Sequence, residues 1–130
     1  MNEQTYSSLY LLMLRAKQIS KEQALQKIRI YCGYQERSHN EVKEKLYSFG
    51  LRKNTVDEIM AQLIEENFLD EERFAVQFAG GKFRMKQWGK AKIIHALKQK
   101  GVSQYCIRKA IEEIDELTYR QVLHKLAERK

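Results

Sequence analysis

Apolar residues recur along this chain at the spacing of amphipathic helices, and the same pattern returns 51 residues further on. The matched positions are Ala24 and Ala75, Leu25 and Val76, Val42 and Ile93, Leu46 and Leu97, Gly50 and Gly101, Leu51 and Val102, Val56 and Ile107, and Leu63 and Ile114. A fixed period of this length indicates one supersecondary unit that is used more than once. Arrays of helical units present long surfaces to extended partners and seldom contain catalytic pockets.

The first copy predicts three helices, two of which have clear start signals. Ser20, with a glutamine three residues later, is a capping box that begins a helix over residues 21–34. Ser38 begins a second helix through residue 49 in the same way, and Gly50 follows where a helix C-terminus favours positive φ.

The remaining helices are predicted from single capping residues. Asn54 or Thr55 caps the third helix of the first copy. Acidic residues from Asp70 onward suit the positive end of a helix dipole and open the second copy. Gly89 and Ser103 then begin its second and third helices.

A third copy begins and stops after one helix. At an offset of 48 residues, Leu69 matches Leu117, and the smaller offset predicts a short linker between Ile114 and Leu117. The predicted organisation is an N-terminal extension over residues 1–20, repeat 1 over 21–66, repeat 2 over 67–114, and the first helix of an incomplete repeat 3 over 115–130.

Composition agrees with a helical array. Proline is absent, 43% of the residues are hydrophobic and 32% are charged. These properties favour helices over strands. The predicted fold class is therefore all-α, with tandem three-helix-bundle repeats forming an elongated, curved array.

The positive charge is concentrated in the second copy. The chain carries a formal net charge of +7. Residues 21–66 hold eight basic and eight acidic side chains, whereas residues 67–114 hold ten basic and five acidic ones. Residues 73–111 contain no Asp or Glu at all. This distribution predicts an anionic partner, with nucleic acid first among the candidates.

Several residues in this basic stretch are candidates for contact with a partner or with DNA. The candidate contact residues are Lys82, Arg84, Lys86, Lys90, Lys92, Arg73 and Trp88. Arg73 is more simply explained as the partner of a neighbouring acid. Trp88 either packs over a helix corner or stacks on a base, and the lysines either contact a partner or form an ordinary solvated face.

Two adjacent glycines, Gly80 and Gly81, lie inside the first helix of the second copy. Each costs about 1 kcal/mol relative to alanine in a helix interior. Their presence indicates a kink, a close approach of another backbone, or tolerated surface positions.

The sequence offers no chemistry for an enzyme, a metal site or a cofactor. The three histidines lie in different units without a nucleophile or a second ligand nearby, and no phosphate-binding glycine loop occurs.

Cys32 and Cys106 are the only cysteines, and they suggest buried thiols in a reducing compartment. No segment suits a membrane span or a signal peptide, so a cytoplasmic location is expected. Met13 is a possible internal start.

The second copy resembles the RecX family of recombination regulators. The residues that carry the resemblance are the string from Phe68 to Ala75, the basic stretch after it, Trp88-Gly89, Ile93, Leu97 and Lys100-Gly101-Val102. Ser38, Val42, Leu46 and Gly50 follow the pattern of the upstream repeat of the family. The likeness covers about residues 21–128.

The resemblance implies a regulator, expected to be monomeric, that binds the RecA recombinase filament on single-stranded DNA. Such a regulator inhibits the recombinase, ATPase and co-protease activities, and so modulates DNA repair and the SOS response. Direct contact with DNA is also implied. The family usually carries three full repeats, whereas the third stops here after one helix.

Two binding functions remain as alternatives. In a helix-turn-helix protein, the second helix past a corner carries the basic or amide side chains that read bases. Residues 55–66 carry four acids and no base, and residues 104–114 are balanced in charge. The other alternative is a basic helical adaptor that binds an acidic protein and regulates no recombinase.

Overall fold

The structure, a computed structural model, describes residues 19–128, and within that range it contains six helices and no strand. The helices are α1 Lys21–Tyr34, α2 His39–Ser48, α3 Lys53–Glu65, α4 Glu71–Met85, α5 Lys90–Gln99 and α6 Gln104–Glu128. The predicted all-α class is confirmed. The predicted N-terminal extension and the possible start at Met13 lie outside the described residues, except for Ile19 and Ser20.

The chain divides into two compact units, and each has its own hydrophobic core. The first unit comprises residues 19–35 and 41–69 of the described chain, and the second comprises residues 36–40 and 70–128. In the second unit, the most extensive helix contact is between α4 and α6.

Burial confirms the repeat that the apolar pattern predicts. At five of the matched positions, the side chains of both copies are almost completely buried, with exposed fractions of 0–5%. These pairs are Ala24 and Ala75, Val42 and Ile93, Leu46 and Leu97, Val56 and Ile107, and Leu63 and Ile114. Equivalent residues therefore fill equivalent places in two separate cores.

Three of the predicted helix starts are confirmed by their hydrogen bonds. The Gln23 amide donates to the Ser20 hydroxyl over 3.2 Å, and the Ser20 amide donates to the Gln23 side chain over 3.0 Å, which completes a capping box. The Asp70 carboxylate accepts from the Arg73 amide over 3.0 Å at the start of α4. The Ser103 hydroxyl accepts a backbone amide at the start of α6.

The predicted cap of α3 at Asn54 or Thr55 is wrong. The helix begins at Lys53, and the residue before it, Arg52, has an extended backbone and no capping side-chain bond. The Arg52 carbonyl accepts from the Val56 amide over 2.9 Å, so the first turn closes before the polar side chains are reached. Backbone geometry decides this start, and it can differ from the best side-chain cap by one or two residues.

Glycines end one helix in each unit, as the sequence predicts. Gly50 and Gly101 have φ angles of 84° and 75°. After α5, the Val102 amide donates to the Leu97 carbonyl over 3.1 Å and the Gly101 amide donates to the Lys98 carbonyl over 3.0 Å. This pair of bonds is a Schellman motif, which needs a left-handed residue at the glycine position.

We expect opposite effects on stability from alanine at two glycines of the second unit. Gly101→Ala should lower the free energy of unfolding by at least about 1–2 kcal/mol, because a side chain in the left-handed region is strained and its Cβ would overlap Asn40 Nδ2. Gly81→Ala should raise it by about 0.5–1 kcal/mol, because α4 continues through Gly81 and, apart from its chain neighbours and its own helix backbone, no atom of the described residues lies within 4 Å of an added Cβ.

Urea unfolding of the two variants beside the original chain measures both effects. Gly81→Ala is the control for the chemical change, since it adds the same methyl group. A Gly101→Ala variant as stable as the original chain would show that alanine is tolerated at this helix end.

The linker predicted between Ile114 and Leu117 is wrong, because α6 continues without a break to Glu128. Asp115 and Glu116 contain nothing that stops a helix, and Glu116 forms an i,i+4 ion pair of 2.8 Å with Arg120. After Leu117, the exposed large apolar side chains of the described residues include Tyr119, Leu123 and Leu126. That residues 115–130 begin an incomplete third repeat stays a prediction.

Both cysteines are buried and neither forms a disulfide, as predicted for buried thiols. Cys32 belongs to the core of the first unit and Cys106 to that of the second. Burial raises the pKa of the Cys106 thiol, which holds it in the unreactive protonated form.

Candidate basic interface

The loop after α4 places Trp88 over the end of that helix. Gln87 has a left-handed backbone with a φ of 56°, which turns the chain back. The Trp88 amide then donates to the Lys82 carbonyl over 3.2 Å. Gly89, with an extended backbone, is the N-cap of α5, so the indole is held between two helices.

Trp88 and Phe78 form an aromatic pair that is surrounded by lysines. Their ring centroids are 6.5 Å apart in an edge-on arrangement. Lys82 Nζ lies 5.0 Å from the Trp88 ring centroid and 5.4 Å from that of Phe78. Lys92 Nζ lies 4.5 Å from the Trp88 centroid, and Lys100 Nζ lies 5.6 Å from the Phe78 centroid. We call these five residues the lysine–aromatic surface.

The indole holds the lysines in place at the surface. Trp88 is half-buried against the core of the second unit, as expected for a tryptophan over a helix corner. Ammonium groups within about 6 Å of a ring centroid gain about 0.5–1 kcal/mol at exposed sites. Lys82 and Lys92 both meet this distance, so the ring orders two positive charges. Base stacking on Trp88 stays a prediction.

Two of the seven candidate contact residues have their charge matched by an acid. Arg73 Nε lies 2.5 Å from a Glu36 carboxylate oxygen, so the expected pairing of Arg73 with an acid is confirmed. Lys90, at the start of α5, forms an ion pair with Asp115 on α6. These contacts leave Arg73 and Lys90 less suited than the others to bind an external anion.

The other four basic candidates have no acidic partner among the described residues. There, no carboxylate lies within the 4.0 Å of an ion pair from Lys82, Arg84, Lys86 or Lys92. All four are on α4, at its C-terminal cap or on α5. Within the described chain, the second unit therefore presents four uncompensated positive charges, two of which, Lys82 and Lys92, lie over the indole.

Gly80 gives room to one of these four side chains. An added Cβ at Gly80 would lie 3.1 Å from Arg84 Nη1, so the guanidinium lies against the glycine. The helix continues through Gly80 and Gly81 from residue 71 to residue 85. Among the described residues, the three atoms nearest to such a Cβ all belong to the Arg84 side chain.

Comparison with known proteins identifies the type of unit. The family described as "RecX, second three-helix domain" matches residues 70–111, from the N-cap of α4 into α6. The "Regulatory protein RecX" of Chlorobium limicola is 35% identical over 95 residues, which cover 70% of this chain and 60% of that protein. The protein of the same name from Prosthecochloris aestuarii is 33% identical over 85 residues, which cover 65% of this chain and 56% of that protein.

The chain belongs to the RecX family. A solved structure, the crystal structure of RecX from Lactobacillus salivarius, has the same fold with a TM-score of 0.68. It is 24% identical, and the match covers 84% of this chain and 73% of that one. The chain thus spans little more than half the length of the two curated RecX proteins named above.

Two members of the lysine–aromatic surface of this RecX-family chain, Phe78 and Lys100, were not among the candidate contact residues. Phe78 is only half-buried and supports Lys82 and Lys100. Its position four residues before Lys82 is the signal that could have identified it, because side chains at i and i+4 are neighbours on a helix. Lys100 lies in the acid-free basic stretch, but nothing in the sequence distinguishes it there from Lys98.

The described range has neither a metal-binding cluster nor a membrane-spanning helix. Residues 19–128 contain no group of three or more His, Cys, Asp or Glu side chains that could hold a metal ion. No helix in the same range is long and apolar enough to cross a membrane.

Proposed function

We propose that this chain is a regulatory protein that binds the RecA recombinase filament on single-stranded DNA and inhibits its recombinase, ATPase and co-protease activities. Membership of the RecX family supports the type of function. The observation that carries the proposal is the set of four uncompensated cations on the unit that matches the family. In this role the chain modulates DNA repair and the SOS response.

The lysine–aromatic surface, together with Arg84 and Lys86 near the C-terminal end of α4, is the proposed contact with the DNA of the filament. Phosphate groups are the natural partners of clustered lysines, because binding releases counterions from the nucleic acid. The ordered positions of Lys82 and Lys92 over Trp88 reduce the entropy lost when they bind. The contact needs no deep pocket and is independent of base sequence.

The experiment that tests the proposal is a titration of the chain into a cognate recombinase that hydrolyses ATP on single-stranded DNA. We expect inhibition at well below one chain per recombinase subunit, as a regulator of filament ends would produce. The matched control is the K43E/R52E/K53E variant, which reverses three exposed charges of the first unit. It should inhibit as the original chain does. Absence of inhibition at a stoichiometric excess would contradict the proposed function and favour a DNA-binding or adaptor protein.

A further inference from the structure

A groove of about 850 Å³ lies between α5 and α6 in the second unit. Its apolar residues are Ile94, Ile107 and Ile111, with Tyr105 at one side. Ile107 is 5% exposed and contributes to the core, whereas Ile94 and Ile111 are half-buried and open to the groove. The volume is in the range of about 300–1,000 Å³ that is usual for pockets that hold an apolar group.

The groove and the lysine–aromatic surface use different sides of α5. Ile94 and Lys98, four residues apart, line the groove. Lys92 and Lys100 instead extend over the rings of Trp88 and Phe78. A ligand in the groove therefore does not compete for the residues that we assign to DNA.

The acids at the rim of the groove are already paired. Asp115 forms an ion pair with Lys90, and Glu112 lies 3.8 Å from Lys109 Nζ. These contacts neutralise the acidic part of the rim from within the unit.

Two basic residues at the rim have no such partners among the described residues. In the part of the chain that the structure describes, no carboxylate is within ion-pair distance of Lys98 or Arg108. Both are exposed, and the Arg108 guanidinium lies 5.8 Å from the Tyr105 ring centroid. The groove thus combines an apolar floor with two uncompensated positive charges.

We propose that this groove docks an acidic segment of the recombinase that carries an apolar anchor side chain. The anchor fills the space over Ile94 and Ile111, and carboxylates of the segment pair with Lys98 and Arg108. A buried apolar anchor ringed by polar contacts is the usual arrangement of a binding hot spot. This inference rests on the proposed function and adds a protein contact to the DNA contact.

The test is binding of the K98E/R108E variant to a recombinase filament assembled on single-stranded DNA with a non-hydrolysable ATP analogue. We expect binding at least about tenfold weaker than for the original chain, because two interfacial charge pairs become repulsive. The matched control is K43E/K53E, which makes the same change of charge at exposed lysines of the first unit and should bind normally. A second variant, Ile94→Gln, keeps both cations and should weaken binding severalfold by making the floor polar.

Binding of the same variants to naked single strands separates the possible outcomes. Loss of filament binding by K98E/R108E, with binding to naked strands equal to that of K43E/K53E, supports a protein contact in the groove. Equal loss for filament and naked strands would overturn the inference, because Lys98 and Arg108 would then be phosphate contacts. Normal filament binding by K98E/R108E would overturn it and leave the proposed function intact. If the original chain itself fails to bind filaments, the proposed function fails, and the recombinase is not the occupant.

Discussion

Reversing three lysines of the second unit should reduce binding to single-stranded DNA at least about tenfold. In the K82E/K86E/K92E variant, three of the four uncompensated cations become acidic. Each lysine–phosphate contact contributes about −0.7 to the slope of log affinity against log salt for single strands, so the slope should flatten by about 2. Inhibition of recombinase ATP hydrolysis should weaken in parallel.

The physical reason is that these charges are free to act on an external anion. Lys82 and Lys92 are held 5.0 and 4.5 Å from the Trp88 ring centroid, and no acid of the described chain neutralises them. Lys86 is exposed at the C-cap of α4.

Lys90, by contrast, is paired with Asp115. Replacing it by glutamine should therefore change the slope of log affinity against log salt less than Lys92→Gln does.

A matched control is available in the first unit. K43E/R52E/K53E makes the same change of net charge at three exposed positions, so a general electrostatic effect would appear equally in both variants. Fluorescence anisotropy of a labelled oligonucleotide over a range of salt concentrations gives affinity and slope together. If the two triple variants bind alike, or if K82E/K86E/K92E keeps the original slope, the DNA contact lies elsewhere.

Leu97→Ala should destabilise the second unit by about 2–5 kcal/mol, the usual cost of removing a buried leucine side chain. Leu97 is 0% exposed on α5, within the core that also holds Ile93, Val102 and Ile107. A loss of this size is a large fraction of the stability of a small domain. The variant should therefore lose both the lysine–aromatic surface and the groove on mild heating.

The chain carries its own probe for this effect. Trp88 is the only tryptophan and packs against the core of the second unit, so its fluorescence during urea unfolding reports on that unit. Leu46→Ala is the matched variant, since Leu46 occupies the equivalent buried position in the other core. We expect Leu97→Ala to shift the Trp88 transition more than Leu46→Ala does. Equal shifts would show that the two cores unfold as one.

Features that depend on local sequence were predicted well. The apolar spacing predicted both cores, because a helix face is set by residues three and four positions apart. Positive φ was predicted for Gly50, and both Gly50 and its repeat equivalent Gly101 have it, because a helix end with this geometry strongly favours glycine. The start of α3 and the continuity of α6 were missed, since a capping residue or a change of repeat offset does not determine where backbone hydrogen bonds stop.

Apolar spacing and charge along the chain predict an all-α protein with two repeated units, two buried cores and an excess of positive charge in the second unit. Which of those charges remain available depends on how the helices pack. Arg73 pairs with Glu36, 37 residues away, and Lys90 pairs with Asp115 on another helix. Periodicity describes each helix alone and therefore cannot predict such pairs. Packing also brings Lys82 and Lys92 to Trp88. Within the described residues, it leaves Lys98 and Arg108 at the groove with no carboxylate at ion-pair distance.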